Sequence, residues 1–420
     1  MKTKIIIATI FLCSWLSQAT AQNQLQAYID TAVKNNPALH AYQFQSNAIQ
    51  QKIKPAKSLD NLMLYGGVMN LPVNFSFTKD FMTMKQIGIQ QNFSVAKKYS
   101  LKGAVAQKEF EASTYEVQAQ QLSLIKQVKQ QYYDLYAQTK SIEAAQNSIE
   151  AMKNYISIAN ARYSSAQGTQ QDVLKAQLEL TKMQAELLKM QSDKEDMIAI
   201  FNTLLARNKM DSVNIPDKIN FTPLMLNTDS LFVNVYANNP MLLAAKTMVG
   251  KDSAAYRLAK TSKIPDFNTN FWYGQRQYKE PDGSKAKDML GLTFGITLPI
   301  YSNTKENPLI AEANFNIKKS KSQFESMQNE SELMVHHAMI GANKNQKLIS
   351  IFEMQLIPQA EQTLSSAIIG YQENKIDFLT LTDNFLSLYN YRLQYFQAVA
   401  DYMKAIADLE MLTNKNLISQ

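Results

Sequence analysis

The side chains able to do chemistry are few in this chain, and the notable ones gather in two short segments. The first reads Arg162-Tyr163-Ser164-Ser165-Ala166-Gln167-Gly168-Thr169-Gln170-Gln171-Asp172-Val173, the second Gly370-Tyr371-Gln372-Glu373-Asn374-Lys375-Ile376-Asp377-Phe378. A guanidinium, phenols, carboxylates and an ammonium set around glycines can bond to one another, but they do not make a nucleophile with its base. Asp172 and Asp377 each stand where a helix restarts, so either can cap it by accepting backbone N–H bonds at the positive end of the dipole. In a symmetric oligomer the same acids also form a ring around the axis. The histidines are His40, His336 and His337. Adjacent residues on a helix point to different faces, so His336 and His337 are not a metal pair. No nucleophile elbow, phosphate-binding glycine loop or metalloprotease signature occurs. An enzyme is therefore not expected, and no catalytic residue, cofactor or metal ligand is assigned.

What must position these two segments is a structure written twice. Ile149, Met152, Ile156, Ala159 and Tyr163 recur as Ile357, Ala360, Leu364, Ala367 and Tyr371, an offset of 208. Val173, Ala176, Leu180, Met183, Leu187, Met190, Met197, Phe201 and Leu204 recur as Phe378, Leu381, Phe385, Leu388, Arg392, Tyr395, Tyr402, Ile406 and Leu409, an offset of 205. Spacings of three and four describe one stripe of a long helix packed on other helices. Each half thus holds two long helices joined by a turn, and the change of offset is expected in the turn. Between Pro72 and Pro216 there is no proline, and Gly103 to Gly168 reads as one helix of roughly 60 residues, about 90 Å at 1.5 Å per residue. Pro358 interrupts the matching helix of the second half and is expected to kink it.

Each half opens with shorter helices, marked by Asn35-Asn36-Pro37 and Asn238-Asn239-Pro240, where proline starts a helix. Two strand-like segments follow in each half. Leu290, Leu292, Phe294, Ile296, Leu298 and Ile300 alternate with Gly291, Thr293, Gly295, Thr297 and Pro299; Ile87, Ile89, Phe93 and Val95 alternate with polar or small residues. The partner strands are Asn61 to Asn70 and Phe267 to Gln277. Strict period two gives one apolar and one small or polar face, and nine to eleven residues suffice for a tilted strand to cross a bilayer. The expected division is a signal peptide over 1–21 and a first repeat over 22–207, with strands in 61–95 and the hairpin in 100–207. A linker over 208–228, a second repeat over 229–413 (strands in 267–300, hairpin in 308–413) and a tail over 414–420 complete it.

The leader reading rests on Lys2 and Lys4, the apolar run Ile5 to Leu16 and the small-x-small site Ala19-Thr20-Ala21. Its removal takes away Cys13, the single cysteine, and lowers the net charge from +7 to +5. No disulfide framework or thiolate site is then available. No basic stripe with interleaved aromatics occurs, which argues against nucleic acid. After the leader no apolar run reaches helix-spanning length, so any membrane crossing uses strands. Four strands cannot close a pore by themselves, so several chains must share one barrel.

The duplicated order of short helices, strand pair and long hairpin, with the Arg-Tyr…Gly…Asp-Val-Leu turn, resembles the outer membrane efflux protein family, the trimeric channel-tunnels typified by TolC. The resemblance covers essentially the whole mature chain. It implies a mainly α fold with transmembrane β: a homotrimer with a shared 12-strand barrel in the outer membrane of a Gram-negative bacterium and an α-helical barrel in the periplasm. The implied partners are a periplasmic adaptor, an inner-membrane pump of the RND type and outer-membrane lipid. In such channels a tyrosine and an arginine of the second hairpin hold the closed tip against the first, with acidic rings lining the constriction. Tyr371 matches the tyrosine, Asp172 its acidic partner and Asp377 the first ring acid. Lys375 is nearest to the arginine but lacks its bidentate fork, and Thr380 stands where the second ring acid falls. Arg162, Tyr163, Gly168 and Gly370 mark the tip that would meet the adaptor, and Leu292, Phe294, Ile296 and Leu298 the face that would meet lipid. The segments Asn70-Leu71-Pro72-Val73 and Phe81-Met82-Thr83-Met84-Lys85-Gln86-Ile87-Gly88 resemble the heavy-metal efflux branch, and Met63, Met69, Met82 and Met84 add thioethers able to ligate Cu(I). Drugs are the other expected cargo. The competing readings are a type I protein-secretion conduit and a periplasmic coiled-coil structural protein whose strands form a small water-soluble sheet.

Overall fold

A computed structural model describes residues 24–94, 97–219, 223 and 227–417. The expected leader, Val95 and parts of the linker and tail lie outside the described residues. The elements run twice in one order. Helix α1 covers 24–35, followed by α2 (Pro37–Gln51), α3 (Ile53–Lys57), β1 (Met63–Met69), β2 (Met84–Ser94), α4 (Lys98–Ser164) and α5 (Gln170–Leu204). The second pass is α6 (Thr228–Asn238), α7 (Pro240–Lys260), β3 (Asp266–Arg276), β4 (Met289–Thr297), α8 (Glu306–Ile351), a π-helical turn (Phe352–Leu356), α9 (Ile357–Gln372) and α10 (Phe378–Thr413).

Local chemistry accounts for the main boundaries. Pro37 and Pro240 open α2 and α7, where a missing N–H costs nothing and the fixed φ already suits a helix. Asn36 Oδ1 caps α2 by accepting from the N–H groups of Ala38 (3.0 Å) and Leu39 (3.2 Å). Helix α4 is 67 residues long and starts before Gly103 rather than at it; the aliphatic stem of Lys57 lies where a Cβ at Gly103 would stand. Pro358 has no N–H to give to the carbonyl one turn back. The helix accommodates it with the π-helical turn ahead of it, closed by the Ile357 N–H bonding to the Phe352 carbonyl, and Pro358 then sits in the first turn of α9.

The expected three-residue change of offset between the halves is not in the turn. Ala166 and Asn374, both left-handed, are 208 apart, and so are the N-caps Thr169 and Asp377 and the left-handed Ala206 and Asn414. Three residues are nearly one helical turn, so a periodic stripe matches almost as well at 205 as at 208, and the turn geometry decides for 208.

The chain divides into two compact units, each drawing on both repeats. One takes in the described residues within 1–42, 117–240 and 328–420 and holds the helical hairpins with their turns. Its core beside the turns joins Ile149, Met152, Tyr155 and Ala159 of α4 and Val173, Ala176 and Met183 of α5 to Leu364, Ala367 and Tyr371 of α9 and Phe378, Leu381, Phe385 and Leu388 of α10. Farther along, α4 and α10 are tied by Lys129–Glu410 (2.7 Å), Lys404–Asp134 (2.7 Å) and Lys126–Asp408 (3.4 Å).

The other unit comprises residues 43–116 and 241–327. It contains an antiparallel sheet in the order β1-β2-β3-β4, with β1 and β4 as its edges. Partners in register share a face. One face carries Leu64, Ile87, Ile89, Phe93, Phe267, Phe271, Leu290, Leu292, Phe294 and Ile296, all of them solvent-exposed. The opposite face carries Tyr65, Gln86, Gly88, Gln90, Asn92, Asn268, Asn270, Trp272, Gly291 and Thr293. Lys98 anchors the start of α4 to this sheet by pairing with Asp266 at 2.7 Å and donating to the Ile264 carbonyl at 3.2 Å.

Candidate functional site at the hairpin turns

The two hairpin turns are built alike. The Arg162 carbonyl accepts from the N–H groups of Gln167 (2.8 Å) and Gly168 (3.1 Å), and the Gly370 carbonyl from Lys375 (2.8 Å) and Ile376 (3.4 Å). Each chain reversal passes through its one left-handed residue, Ala166 or Asn374. One returning helix is capped differently from the sequence expectation and the other as expected. Thr169, not Asp172, caps α5: its Oγ1 accepts from the Asp172 N–H (3.2 Å) and donates to Asp172 Oδ1 (2.9 Å), a reciprocal pair spaced as in a capping box. Asp377 does cap α10, accepting from the Thr380 N–H at 2.8 Å. Those bonds to Thr380, with Lys175 adding a smaller attraction, hold the Asp377 carboxyl below its ordinary pKa.

The buried centre of the site is Arg162. Its guanidinium reaches from the first hairpin into the second turn, donating to the Tyr371 carbonyl and to Asn374 Oδ1 (2.5 Å), while it also donates to the Gln167 carbonyl of its own turn (2.9 Å). It lies over the Tyr371 ring, 4.2 Å from the centroid. The residue is only 8% exposed, and its Nε is buried without a partner. Arg162, expected at the adaptor-contact tip, is thus turned inward, and its two terminal nitrogens are engaged within the chain. Tyr163 is 49% exposed on the outside of the turn, and Gly168 and Gly370 are half-buried.

Tyr371 is 1% exposed and packs edge-on against Phe378. Its hydroxyl donates to Asp172 Oδ2 across the hairpins at 3.4 Å, long for an O–H···O bond. Burial, and after it the Asp172 charge, pushes the phenol above its ordinary pKa, with Arg162 pulling the other way. Lys375 takes no part in this contact; it is exposed and pairs with Glu373 at 2.5 Å, and the cation facing Asp377 is Lys175. Sequence reasoning missed Arg162 as the clasp and Asn374 as its acceptor. The available signal was an asparagine at the one position of the second turn that must be left-handed, opposite an arginine with no acid nearby in sequence.

On the sheet, Leu292, Phe294 and Ile296 lie on the exposed apolar face; Leu298 is equally exposed but stands one residue beyond the end of β4, before Pro299. Met63, Met69 and Met84 lie on the polar face, Met84 buried; Met82 precedes the strand. Among the described residues no three His, Cys, Asp or Glu side chains come together as a metal site, and no helix is long and apolar enough to cross a membrane.

Residues 28–197 match the model of a family described as outer membrane efflux protein. No curated protein sequence matches the chain. Among solved structures, the outer membrane protein VceC of Vibrio cholerae superposes with a TM-score of 0.81 at 17% identity, over 95% of this chain and 98% of that one. The CmeC outer membrane channel of Campylobacter jejuni gives 0.79 at 13% identity, over 94% and 86%. The open MtrE outer membrane channel of Neisseria gonorrhoeae gives 0.77 at 16%, over 94% and 89%. At such identities the structural likeness establishes the fold.

Proposed function

We propose that the chain, whose residues 28–197 match the outer membrane efflux protein model, is a member of that family, and that three copies form the passive exit duct of a tripartite export system in the outer membrane of a Gram-negative bacterium. Members of the family are homotrimeric channels that work with an adaptor and an inner-membrane pump. For this chain we infer that the pump is of the RND type and that the cargo is heavy-metal cations or drugs. The observation that carries the duct reading is the two-faced sheet. Its large side chains on one face have no cover, with Phe294 76% and Leu64 68% exposed, and the opposite face is rich in amides, hydroxyls and glycine. Lipid suits the first face and a water-filled lumen the second. Strands at both edges leave N–H and C=O groups that only neighbouring copies can pair within a bilayer.

At the hairpin turns, the Arg162 clasp and the Tyr371–Asp172 contact hold the two hairpins of one chain together. We infer that this is the closed state of the periplasmic tip, with Asp377 contributing one carboxylate per chain around the axis. The exposure of Tyr163 beside the clasp supports the reading of this tip as the surface that meets the adaptor. Membrane extraction tests the reading. A duct needs detergent for release and runs as a trimer in it, whereas a structural coiled-coil protein leaves the membrane fraction in high salt or carbonate. Release by carbonate, or a monomer in mild detergent, would refute the duct.

A further inference from the structure

One row of the sheet crosses all four strands on the polar face: Tyr65, Gly88, Trp272 and Gly291, each in register with the next. Large rings and glycines alternate along it. A Cβ on Gly88 would stand 2.6 Å from Cζ and the hydroxyl oxygen of Tyr65 and 2.8 Å from Cβ of Trp272. A Cβ on Gly291 would fall among the indole atoms of Trp272, and one on Gly274 would stand 3.2 Å from its Cζ3. Each ring therefore lies over its glycine partner across the strand pair instead of standing out from the sheet. The arrangement is made twice, Tyr65 over Gly88 in the first strand pair and Trp272 over Gly291 in the second. The second copy shows that the pattern does not depend on one residue type, since phenol and indole use it alike. A strand ordinarily loses stability at glycine, and an aromatic ring laid across it from the next strand restores the missing contact.

We propose that Gly88 and Gly291 set the bore of the barrel. They seat Tyr65 and Trp272 flat on the lumen wall, so that three copies line the duct with a girdle of aromatic faces in place of projecting side chains. This inference rests on the duct reading, which makes the polar face the lumen. Any side chain at either glycine lifts the ring off the wall into the path of the cargo. The flat rings also leave this level of the lumen without charge, between a row that holds Gln90, Asn270 and Thr293 and one that holds Gln86, Gly274 and Met289. Solutes passing this girdle would therefore be graded by size and aromatic character more than by charge.

The chain's tryptophans are Trp15 and Trp272, so in a Trp15→Phe background Trp272 is the single indole whether or not the leader is removed. Trimers in vesicles are probed with iodide, which reaches water-filled space, and with brominated acyl chains, which reach the lipid face. The expected result is quenching of Trp272 by iodide and none by brominated lipid. Moving the indole to the apolar face, with Trp272→Phe and Phe294→Trp together, should reverse the pattern severalfold. Gly291→Ala should raise iodide quenching of Trp272 and lower single-channel conductance. Adding Trp272→Ala to it should restore the conductance. Gly88→Ala, which displaces Tyr65 instead, is the second narrowing variant should Gly291→Ala fail to assemble. Conducting trimers in which brominated lipid quenches Trp272, or in which neither glycine variant changes iodide access or conductance, would overturn the inference and leave the duct standing. Absence of any conducting trimer in the Trp15→Phe protein would overturn the duct itself.

Discussion

Removing the Arg162 guanidinium is the sharpest perturbation of the hairpin turns. Two of its three acceptors, the Tyr371 carbonyl and Asn374 Oδ1, belong to the opposite hairpin. Hydrogen bonds from a charged donor contribute about 1.5–3 kcal/mol each, and a cation over a shielded ring adds roughly 1–2 kcal/mol. Set against this is the cost of burying a guanidinium whose Nε has no partner, several kcal/mol for a desolvated ion. The difference is about 2–3 kcal/mol in favour of the clasp, and alanine also strands the two acceptors. A loss of about 3 kcal/mol changes the ratio of clasped to unclasped hairpins roughly a hundredfold. The Tyr371 hydroxyl, at 3.4 Å from Asp172, belongs at the bottom of the hydrogen-bond range, about 0.5 kcal/mol, a twofold effect. Arg162→Ala should therefore raise hydrogen exchange in residues 160–175 and 368–382, and the open-channel current in planar bilayers, far more than Tyr371→Phe. Arg162→Lys should fall between, because an ammonium keeps the charge without the fork. Trimers of Arg162→Ala with native exchange at both turns, or a larger effect from Tyr371→Phe, would refute this ranking.

Three further outcomes are expected. Burial raises the Tyr371 pKa, so the folded chain favours the neutral phenol; its contribution is complete below the ordinary tyrosine pKa and is lost as pH rises through the raised one. Exchange at the turns should accelerate in strong alkali, and that component should be absent in Tyr371→Phe. Phe294→Arg and Ile296→Arg should each cost about 2–4 kcal/mol if they lie near the bilayer midplane, and normal trimer yield from both would exclude a lipid-facing strand. Thr169→Ala should fray the start of α5 by about 1 kcal/mol, measured by exchange at Gln171–Val173, while Asp172→Asn should leave the cap in place.

Much of this architecture could be read from periodicity because the periods involved are unambiguous over long stretches. Stripes of three and four residues along α4, α5, α9 and α10 and strict alternation along β4 fixed the element types, the duplication and the apolar strand face. The turns were less legible. A helical stripe slides by one turn with little change in match, which is why the repeat was read three residues out of phase beyond Asp172. Helix caps are decided by which of several polar residues reaches a free N–H, and Thr169 won over Asp172 by standing three residues earlier. The inward turn of Arg162 is illegible for another reason: a lone arginine at a helix end reads as a surface charge unless its acceptors are known. Those acceptors are a main-chain carbonyl and an asparagine 212 residues away. No local pattern encodes that meeting.

The edge strands β1 and β4 carry a genetic consequence. If three copies close the duct as proposed, one copy alone has no native state in the bilayer, and every barrel samples the pool of chains being made. A cell expressing a sheet or clasp variant together with the natural chain in equal amounts would assemble only about one trimer in eight free of the variant. Lesions that leave the strand edges able to pair should therefore behave as dominant, spoiling barrels that contain good copies. Lesions that destroy β1 or β4 pairing should be recessive, because such chains never enter the barrel.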